Sequence, residues 1–271
     1  MNLFLPALRS EITKLLTTKI WWILAIILFL YVAAVSGGLG VVFGFLTQSS
    51  EAEGAGAPPT DVLAPMLYGS VSTFGYVFPV LLGALAVTSE YRHQMLTPTF
   101  LAIPKRGVVL GAKSIALLIF GLVYGVIGVI ASVGAGAGAL AIFGMDTQLG
   151  ESDTWALIAR GVLALGLWAV VGVGLVALIP NQVAAIVVIL AFTQFVEPTL
   201  RTIVMFADWA AVVGKFLPGA ASDALVGAPS FFTMGMTTDA LEWWQGGLLL
   251  AALALVLTVV GHFVSWKRDV T

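Results

Sequence analysis

The feature that most constrains this chain is residues 161–196, an apolar run in which no side chain is charged. A helix needs only about 20 apolar residues to cross the hydrocarbon core of a bilayer, so this run is too long for one crossing. Pro180, followed by Asn181 and Gln182, predicts a tight turn within it, because proline interrupts a helix interior. Charged residues make up 10% of the chain, against about 25% in soluble domains. We therefore expect an all-α integral membrane protein.

The same criterion predicts six transmembrane helices, at residues 20–45, 66–87, 114–143, 155–179, 183–204 and 248–266. Lys113 precedes the third span and Arg160 lies near the start of the fourth, so we expect both side chains to extend towards lipid headgroups. Residues 48–65 predict an exterior loop without a structured domain. The chain, residues 1–271, is then a single transmembrane domain, and without cysteine it has no disulfide and no thiolate metal ligand.

The distribution of lysine and arginine predicts the orientation of the chain. Most of them fall before the first span, between the second and third spans, or after the last: Arg9, Lys14, Lys19, Arg92, Lys105, Arg106, Lys113, Lys267 and Arg268. Arg160, Arg201 and Lys215 fall on the other side, which holds most of the acidic residues. The basic side is therefore predicted to be cytoplasmic, and an even number of crossings places both termini there.

Residues 1–19 are predicted to form an amphipathic helix on the cytoplasmic membrane surface. Its apolar side chains recur at helical spacing: Leu5, Leu8, Ile12, Leu15 and Leu16. Such a helix either anchors the chain at the membrane or touches a cytoplasmic partner.

Residues 205–242 stay apolar but are broken by Pro218, Gly219 and Pro229. This pattern predicts short re-entrant helices on the exterior side, or an interfacial hairpin without a role in transport. Just before this stretch, Glu197 and Arg201 are spaced for an ion pair on one helix face. Charges at that depth are candidates for function, but an exposed pair at the membrane interface is the simpler expectation. Glycines are frequent in the first, third and fourth spans, which predicts close helix packing or a subunit interface.

The connection between the second and third spans is the most informative stretch. Residues 89–113 read SEYRHQMLTPTFLAIPKRGVVLGAK: a span ends at Glu90, a short helix follows, Pro104 precedes two basic residues, and Gly111 and Lys113 begin the next span. This order resembles the cytoplasmic loop of the type-2 ATP-binding-cassette exporter permeases. The amino-terminal Arg9-Ser10-Glu11-x-x-Lys14-Leu15, followed by Trp21-Trp22, is similar to the opening of the same family. The span number and the region before the last span agree with it.

The resemblance implies a drug- or antibiotic-exporter-like permease subunit in a bacterial cell membrane. Residues 89–107 would form a coupling loop, in which a helix from about Tyr91 to Leu101 fits a groove on a cytoplasmic ATPase. The side chains implied to couple are Glu90, Tyr91, Arg92, His93, Met95, Leu96, Thr97 and Phe100. Lys105 and Arg106 would seat the loop against the partner, or serve topology alone.

The resemblance also implies the partners. The chain has no G-x-x-x-x-G-K-[ST] phosphate-binding loop, so ATP and Mg would be bound by two copies of a separate ATPase. A second permease subunit, most simply an identical copy, would complete the translocation path within membrane lipid. No nucleic acid partner and no catalytic, cofactor or metal site is expected in this chain.

The path would lie between the two permease subunits and would suit an amphiphilic or drug-like cargo. Aromatic and polar side chains of the second and fifth spans either line it or simply pack: Tyr68, Ser72, Phe74, Tyr76, Phe78, Phe192, Gln194 and Phe195.

Three other classes of protein stay open: a membrane enzyme, an ion-driven transporter or channel, and a scaffold or sensor of the same fold. Ser36 is the nearest match to a Gly-x-Ser-Gly protease motif but lacks the first glycine, and no polar cluster accompanies His93 or His262 in the sequence. Ion-driven transporters usually hold charged residues near the middle of the membrane, where this sequence has almost none.

Overall fold

The computed structural model describes residues 3–48, 58–179, 181–204, 213–229 and 241–266. These residues form helices, turns and loops, and no strand occurs among them. The predicted all-α class is therefore confirmed. Within the predicted re-entrant region, residues 205–212 and 230–240 lie outside the described part of the chain, as do Pro180 and residues 267–271.

Eleven α-helices occur in the described ranges. They are α1 (Phe4–Thr17), α2 (Ile20–Gln48), α3 (Thr60–Gly75), α4 (Val77–Arg92), α5 (Leu96–Ala102), α6 (Arg106–Ile142), α7 (Ser152–Leu178), α8 (Gln182–Ala191), α9 (Glu197–Val204), α10 (Pro218–Val226) and α11 (Trp243–Gly261). Two π-helical segments, Phe192–Val196 and His262–Trp266, continue α8 and α11.

Six helical segments among the described residues are long and apolar enough to cross a membrane, which confirms the predicted number of spans. They are α2, α3 with α4, α6, α7, α8 with α9, and α11. The helices extend beyond several predicted spans, because helical hydrogen bonding continues where the apolar pattern stops. The second span begins at Thr60 rather than residue 66, and the sixth begins at Trp243 rather than residue 248. At the start of the sixth span, the backbone N–H of Glu242 donates to the Gln245 side chain, and the Glu242 side chain accepts from the backbone N–H of Gln245. This pair of hydrogen bonds is a capping box.

Helix α7 lies at the centre of the bundle and packs against α3, α4, α6, α10 and α11. Its apolar side chains are buried on several faces, among them Leu165, Trp168 and Val173. The flanking helices α2, α6, α8 and α11 bury one face and expose large apolar side chains on the other, such as Leu30, Ile130 and Leu255. An apolar outer surface is what a lipid environment requires, in accord with a multi-pass membrane protein.

Glycines allow the closest helix contacts, as the sequence predicts. A Cβ atom placed on Gly172 of α7 would overlap the carbonyl oxygen of Val80 in α4, and one on Gly83 would overlap the carbonyl oxygen of Ala169. Helices α4 and α7 therefore touch through their backbones in both directions, which is the packing that small residues permit in lipid. Gly38 of α2, by contrast, has no atom of another described residue within 4 Å of that position, apart from its own helix and chain neighbours.

The bundle has two ends. We call the α1 end the one that contains α1, α5 and the first turns of α2 and α6, and the α10 end the one that contains α10 and the first turns of α3 and α7. At the α10 end, α10 packs against α3, α7 and α11, with Ala221, Ser222 and Leu225 buried. This short helix lies within residues 213–229, the main described portion of the predicted re-entrant region.

Candidate functional site

Four charged side chains from three helices meet at the α1 end, and we refer to them as the four-charge cluster. Glu11 and Lys14 come from α1, Glu90 from the last turns of α4, and Lys113 from the first turns of α6. The Nζ atom of Lys14 lies 2.7 Å from carboxylate oxygens of both Glu11 and Glu90. The Nζ atom of Lys113 pairs with Glu11 and lies 3.0 Å from Glu90. The cluster therefore ties the amino-terminal helix to the second and third spans.

Burial makes this cluster unusual for the end of a membrane bundle. Glu11 and Glu90 are each 3% exposed and Lys113 is 2% exposed. The expectation that Lys113 extends to lipid headgroups is thus wrong, because two carboxylates at the same depth offer it a closer partner. Desolvation of an isolated buried charge costs several kcal/mol, on the order of 3–5 kcal/mol when one partner of a pair is removed. The cluster avoids that cost by matching two acids with two lysines.

The ion pairs decide the charge of the two α1 residues. Burial raises the pKa of Glu11, but Lys113 and Lys14 outweigh it and hold that pKa below the ordinary carboxyl value of 4.5. Burial lowers the pKa of Lys14, but Glu90 and Glu11 outweigh it and hold that pKa above the ordinary lysine value of 10.5. Both residues are charged at neutral pH.

These shifts predict how stability depends on pH. The contribution of Glu11 is complete above pH 4.5 and is lost as the pH falls through the lowered pKa of the folded state. The contribution of Lys14 is complete below pH 10.5 and is lost as the pH rises through its raised pKa. We expect the midpoint of thermal unfolding of the detergent-solubilised protein to exceed that of Glu11→Gln at neutral pH. That difference should shrink below pH 4.5, and a difference that stays constant down to pH 3 would contradict the ion-pair account.

The connection between α4 and α6 contains the short helix α5. Helix α4 ends at Arg92, and Gln94 has a φ of 54°, in the left-handed region that stops a helix. The predicted coupling helix, from about Tyr91 to Leu101, is therefore wrong in its first half: Tyr91 and Arg92 are the last residues of α4, and the separate helix begins at Leu96.

Helix α5 is fixed to the bundle on one side and exposed on the other. Phe100 packs against the apolar core, and the guanidinium carbon of Arg106 lies 4.9 Å from the centre of its ring, a cation–π contact that holds α5 to the start of α6. Leu101 in α5 is 81% exposed, and Met95, the residue before α5, is 44% exposed. The connection thus presents two large apolar side chains and also contains exposed Arg92 and Lys105.

The predicted coupling residues divide by position. Arg92, His93 and Met95 are exposed, while Tyr91 and Phe100 are half-buried. Leu96 and Thr97 lie in α5, but their side chains fall outside the described part. Glu90 is buried in the four-charge cluster, unlike the three exposed residues, and its contact with a partner stays a prediction. Its ion pairs with Lys14 and Lys113 hold the end of α4, from which the connection to α6 starts.

The predicted path residues do not form one surface. Tyr68, Ser72, Tyr76 and Phe78 are buried in the chain's own core. The hydroxyl group of Tyr68 donates to the carbonyl oxygen of Thr147. In contrast, Gln194 and Phe195 of the π-helical segment are exposed, and Phe74 and Phe192 are half-buried. The outer face of the fifth span is therefore the part of this set that faces the surroundings of the chain.

A second buried charge cluster lies at the α10 end, and we call it the Arg201 cluster. The Nη1 atom of Arg201 in α9 lies 2.8 Å from Oδ2 of Asp223 in α10, and its Nη2 atom lies 3.2 Å from Oε1 of Glu197. Glu197 is 1% exposed and Arg201 is 8% exposed. The expectation of an exposed pair at the membrane interface is wrong, because α10 covers it and supplies a third charge.

Neutral polar groups complete the Arg201 cluster. The backbone N–H of Gly219 donates to Glu197, the hydroxyl group of Thr73 donates to Oδ1 of Asp223 at 3.0 Å, and the hydroxyl group of Tyr76 donates to the carbonyl oxygen of Thr193 at 3.0 Å. The cluster thus joins α3, α9 and α10. Asp223 escaped the sequence analysis, although its position as the only acid between Pro218 and Pro229 was a signal.

Other polar residues that the sequence singled out serve packing. Ser36 is buried, and its hydroxyl group donates to the carbonyl oxygens of Ser132 and Leu67, which joins α2 to α6 and α3. The guanidinium carbon of Arg160 lies 4.8 Å from the centre of the Trp243 ring, a cation–π contact with the start of α11. Among the described residues, no group of three or more His, Cys, Asp or Glu side chains is arranged to hold a metal ion.

Compared with known proteins, the sequence matches no protein-family model and no curated protein.

Proposed function

We propose that this chain is the membrane-spanning subunit of an ATP-driven exporter whose ATPase is a separate polypeptide. Six membrane-spanning helices supply a transmembrane unit, and the sequence has no phosphate-binding loop of its own. The order of motifs in residues 89–113, which resembles that of type-2 ATP-binding-cassette permeases, supplies the kind of partner. In this arrangement the α1 end faces the cytoplasm and both termini lie there.

The observation that carries the proposal is the exposed side of α5. Leu101 and Met95 expose large apolar surfaces. They lie at the end of the bundle where lysine and arginine are in excess, which predicts that this end faces the aqueous cytoplasm. A plain connection between two spans needs only a few residues. A short helix that presents apolar side chains to water suits a protein groove, where such side chains become buried.

The four-charge cluster supports a mechanical role for this docking helix. Helix α5 lies between α4 and α6 in the chain, and the four-charge cluster joins α4 and α6 to α1. A partner that moves α5 would therefore move α1, α4 and α6 together, because the cluster joins these three helices. In the exporter, closure of the ATPase around ATP would move α5, and the spans would follow as a body.

The cargo path would lie between two copies of the permease. The exposed π-helical face with Gln194 and Phe195 is the part of the predicted path that a second subunit could cover. Aromatic and neutral polar groups on this face suit an amphiphilic or drug-like cargo.

Ion-driven transport is the second candidate, and the Arg201 cluster is the observation that favours it. Buried ionisable residues inside a membrane bundle are candidates for ion pathways, and Glu197, Arg201 and Asp223 are enclosed by three helices. A transporter of this kind would need no nucleotide-binding partner at α5.

Affinity purification tests the proposal. We expect the tagged chain, solubilised in mild detergent from its native membranes, to retain an ATPase of the cassette type in equal amount. Leu101→Asp should release it, because a charge replaces the apolar side chain at the docking surface. Ile142→Asp is the matched control, since Ile142 is 78% exposed at the α10 end, and it should retain the ATPase. Purification of the chain alone under several gentle conditions would contradict the exporter and favour the ion-driven alternative.

A further inference from the structure

A cavity lies beside the four-charge cluster, between α1, α4 and α6. Its volume is about 350 Å³, within the range of small-ligand sites, which starts at about 300 Å³. Apolar side chains form much of its wall: Leu15, Ile20, Leu82, Leu85 and Leu117. Glu11, Lys14, Glu90 and Lys113 form its charged part, and the polar residues Thr17, Thr18, Ser89 and His93 also line it. The cavity is therefore amphipathic, with one charged wall and one aliphatic wall.

One atom of the charged wall has no hydrogen-bond donor among the described residues. Oε1 of Glu90 lies within ion-pair distance of both lysines, whereas Oε2 of the same carboxylate is buried and receives no hydrogen bond in the described part of the chain. The Glu90 side chain is only 4% exposed. A buried carboxylate oxygen without a donor is costly, so this atom marks the position at which a bound molecule would donate an N–H or O–H group.

The charge balance restricts what that molecule is. Two carboxylates and two lysines sum to zero, so a ligand with a net charge would leave a buried charge uncompensated. A zwitterion matches both signs of the charged wall: its cationic group donates to Glu90, and its anionic group approaches Lys14, whose side chain is 28% exposed. An ammonium group with N–H bonds fits Oε2, and a phosphate ester fits lysine.

The aliphatic wall and the position of α1 indicate the source of the ligand. The side chains of Leu5 and Leu16 on α1 are 53% and 55% exposed, as expected of a helix that lies on a membrane surface. A molecule that enters beside this helix comes from the lipid layer, and its hydrocarbon chain would continue along the leucine wall.

From these four features we propose that the cavity between α1, α4 and α6 binds the headgroup of a zwitterionic phospholipid that carries an ammonium group with N–H bonds. Oε2 of Glu90 accepts from the ammonium group, and Lys14 binds the phosphate. The site belongs to the membrane protein itself and does not depend on an ATPase partner.

Native mass spectrometry of the intact chain, released from nanodiscs, tests the site. The nanodiscs contain equal amounts of phosphatidylethanolamine and phosphatidylcholine with the same acyl chains. We expect about one bound phosphatidylethanolamine per chain, retained about tenfold over phosphatidylcholine, because a quaternary ammonium group cannot donate a hydrogen bond to a carboxylate. Equal retention of the two lipids would overturn the proposal.

The N-methylated lipids separate hydrogen bonding from size and need no variant of the protein. Mono- and dimethylated phosphatidylethanolamine keep an N–H bond, so the preference over phosphatidylcholine should persist for both. A uniform decline with each added methyl group would show selection by size and overturn the proposal.

Two variants locate the site. Glu90→Gln removes the charged acceptor, so the lipid preference should fall to near one. Glu151→Gln is the control, because it removes an exposed carboxylate just before α7, at the opposite end of the bundle, and it should keep the preference. An equal loss in both variants would overturn the proposed site.

Discussion

Replacement of Arg201 by methionine should lower the free energy of unfolding by about 3–5 kcal/mol, the range found when one partner of a buried ion pair is removed. The methionine side chain keeps an unbranched apolar stem but leaves Glu197 and Asp223 as two buried carboxylates without a cation. Both acids are nearly inaccessible to solvent, at 1% and 6% exposure, so water cannot replace the arginine without opening the contact between α9 and α10. Chemical unfolding in mixed micelles measures the loss.

Glu197→Gln is the control for this prediction. It should cost far less than Arg201→Met, because Arg201 keeps its pair with Asp223 and the glutamine oxygen still accepts from the N–H of Gly219. If Arg201→Met costs no more than Glu197→Gln, the arginine is not compensating buried charge, and the Arg201 cluster is hydrated from the α10 end instead.

Replacement of Gly172 by leucine should cost about 3 kcal/mol, the upper part of the usual range for overpacking. A Cβ atom at this position overlaps the carbonyl oxygen of Val80 and lies 2.9 Å from its carbonyl carbon. The obstacle is backbone in the first turn of α4, so no side-chain rotation relieves it, and α4 and α7 must separate. The separated helices would leave a cavity between them unless neighbouring side chains filled it.

Gly38→Leu is the matched control, because the space around Gly38 on α2 is open. This variant should leave stability unchanged or raise it by up to about 1 kcal/mol, since leucine favours a helix more than glycine does. The two variants are compared in the same micelles. Equal effects would mean that glycine acts through helix propensity alone and that the contact between α4 and α7 is looser than described.

The overall architecture was accessible from the sequence because lipid imposes a single strong requirement. Apolar length alone predicts the number of spans, and Pro180 with Asn181 predicts the break between the fourth and fifth. The side chain of Asn181 indeed accepts hydrogen bonds from the N–H groups of Val183 and Ala184 at the start of α8, as an N-cap does. Helix ends were less accessible, because helical hydrogen bonding continues into polar residues.

The buried charges were not accessible from the sequence, because burial depends on what packs over a residue. Lys113 and Arg201 each stand near the end of an apolar run, where extension to the headgroups is the usual outcome. One sequence feature indicated burial in ion pairs instead: Glu11 and Glu90 are acids on a side of the membrane where most charged residues are basic, so lysines are available to pair with them. Asp223 reaches Arg201 from α10, 22 residues further along the chain, beyond the reach of spacing within one helix.

The most direct test of the exporter account is a cross-link from α5 in native membranes. The chain has no cysteine, so Leu101→Cys and Ile142→Cys each introduce one thiol without a background, at similarly exposed positions on opposite ends of the bundle. A reagent that attaches to the thiol and captures neighbours on illumination is applied to both variants. The account predicts that Leu101→Cys captures a protein that contains a G-x-x-x-x-G-K-[ST] phosphate-binding loop and that Ile142→Cys does not. Capture of no such protein at Leu101→Cys, or its equal capture at both positions, would contradict the account.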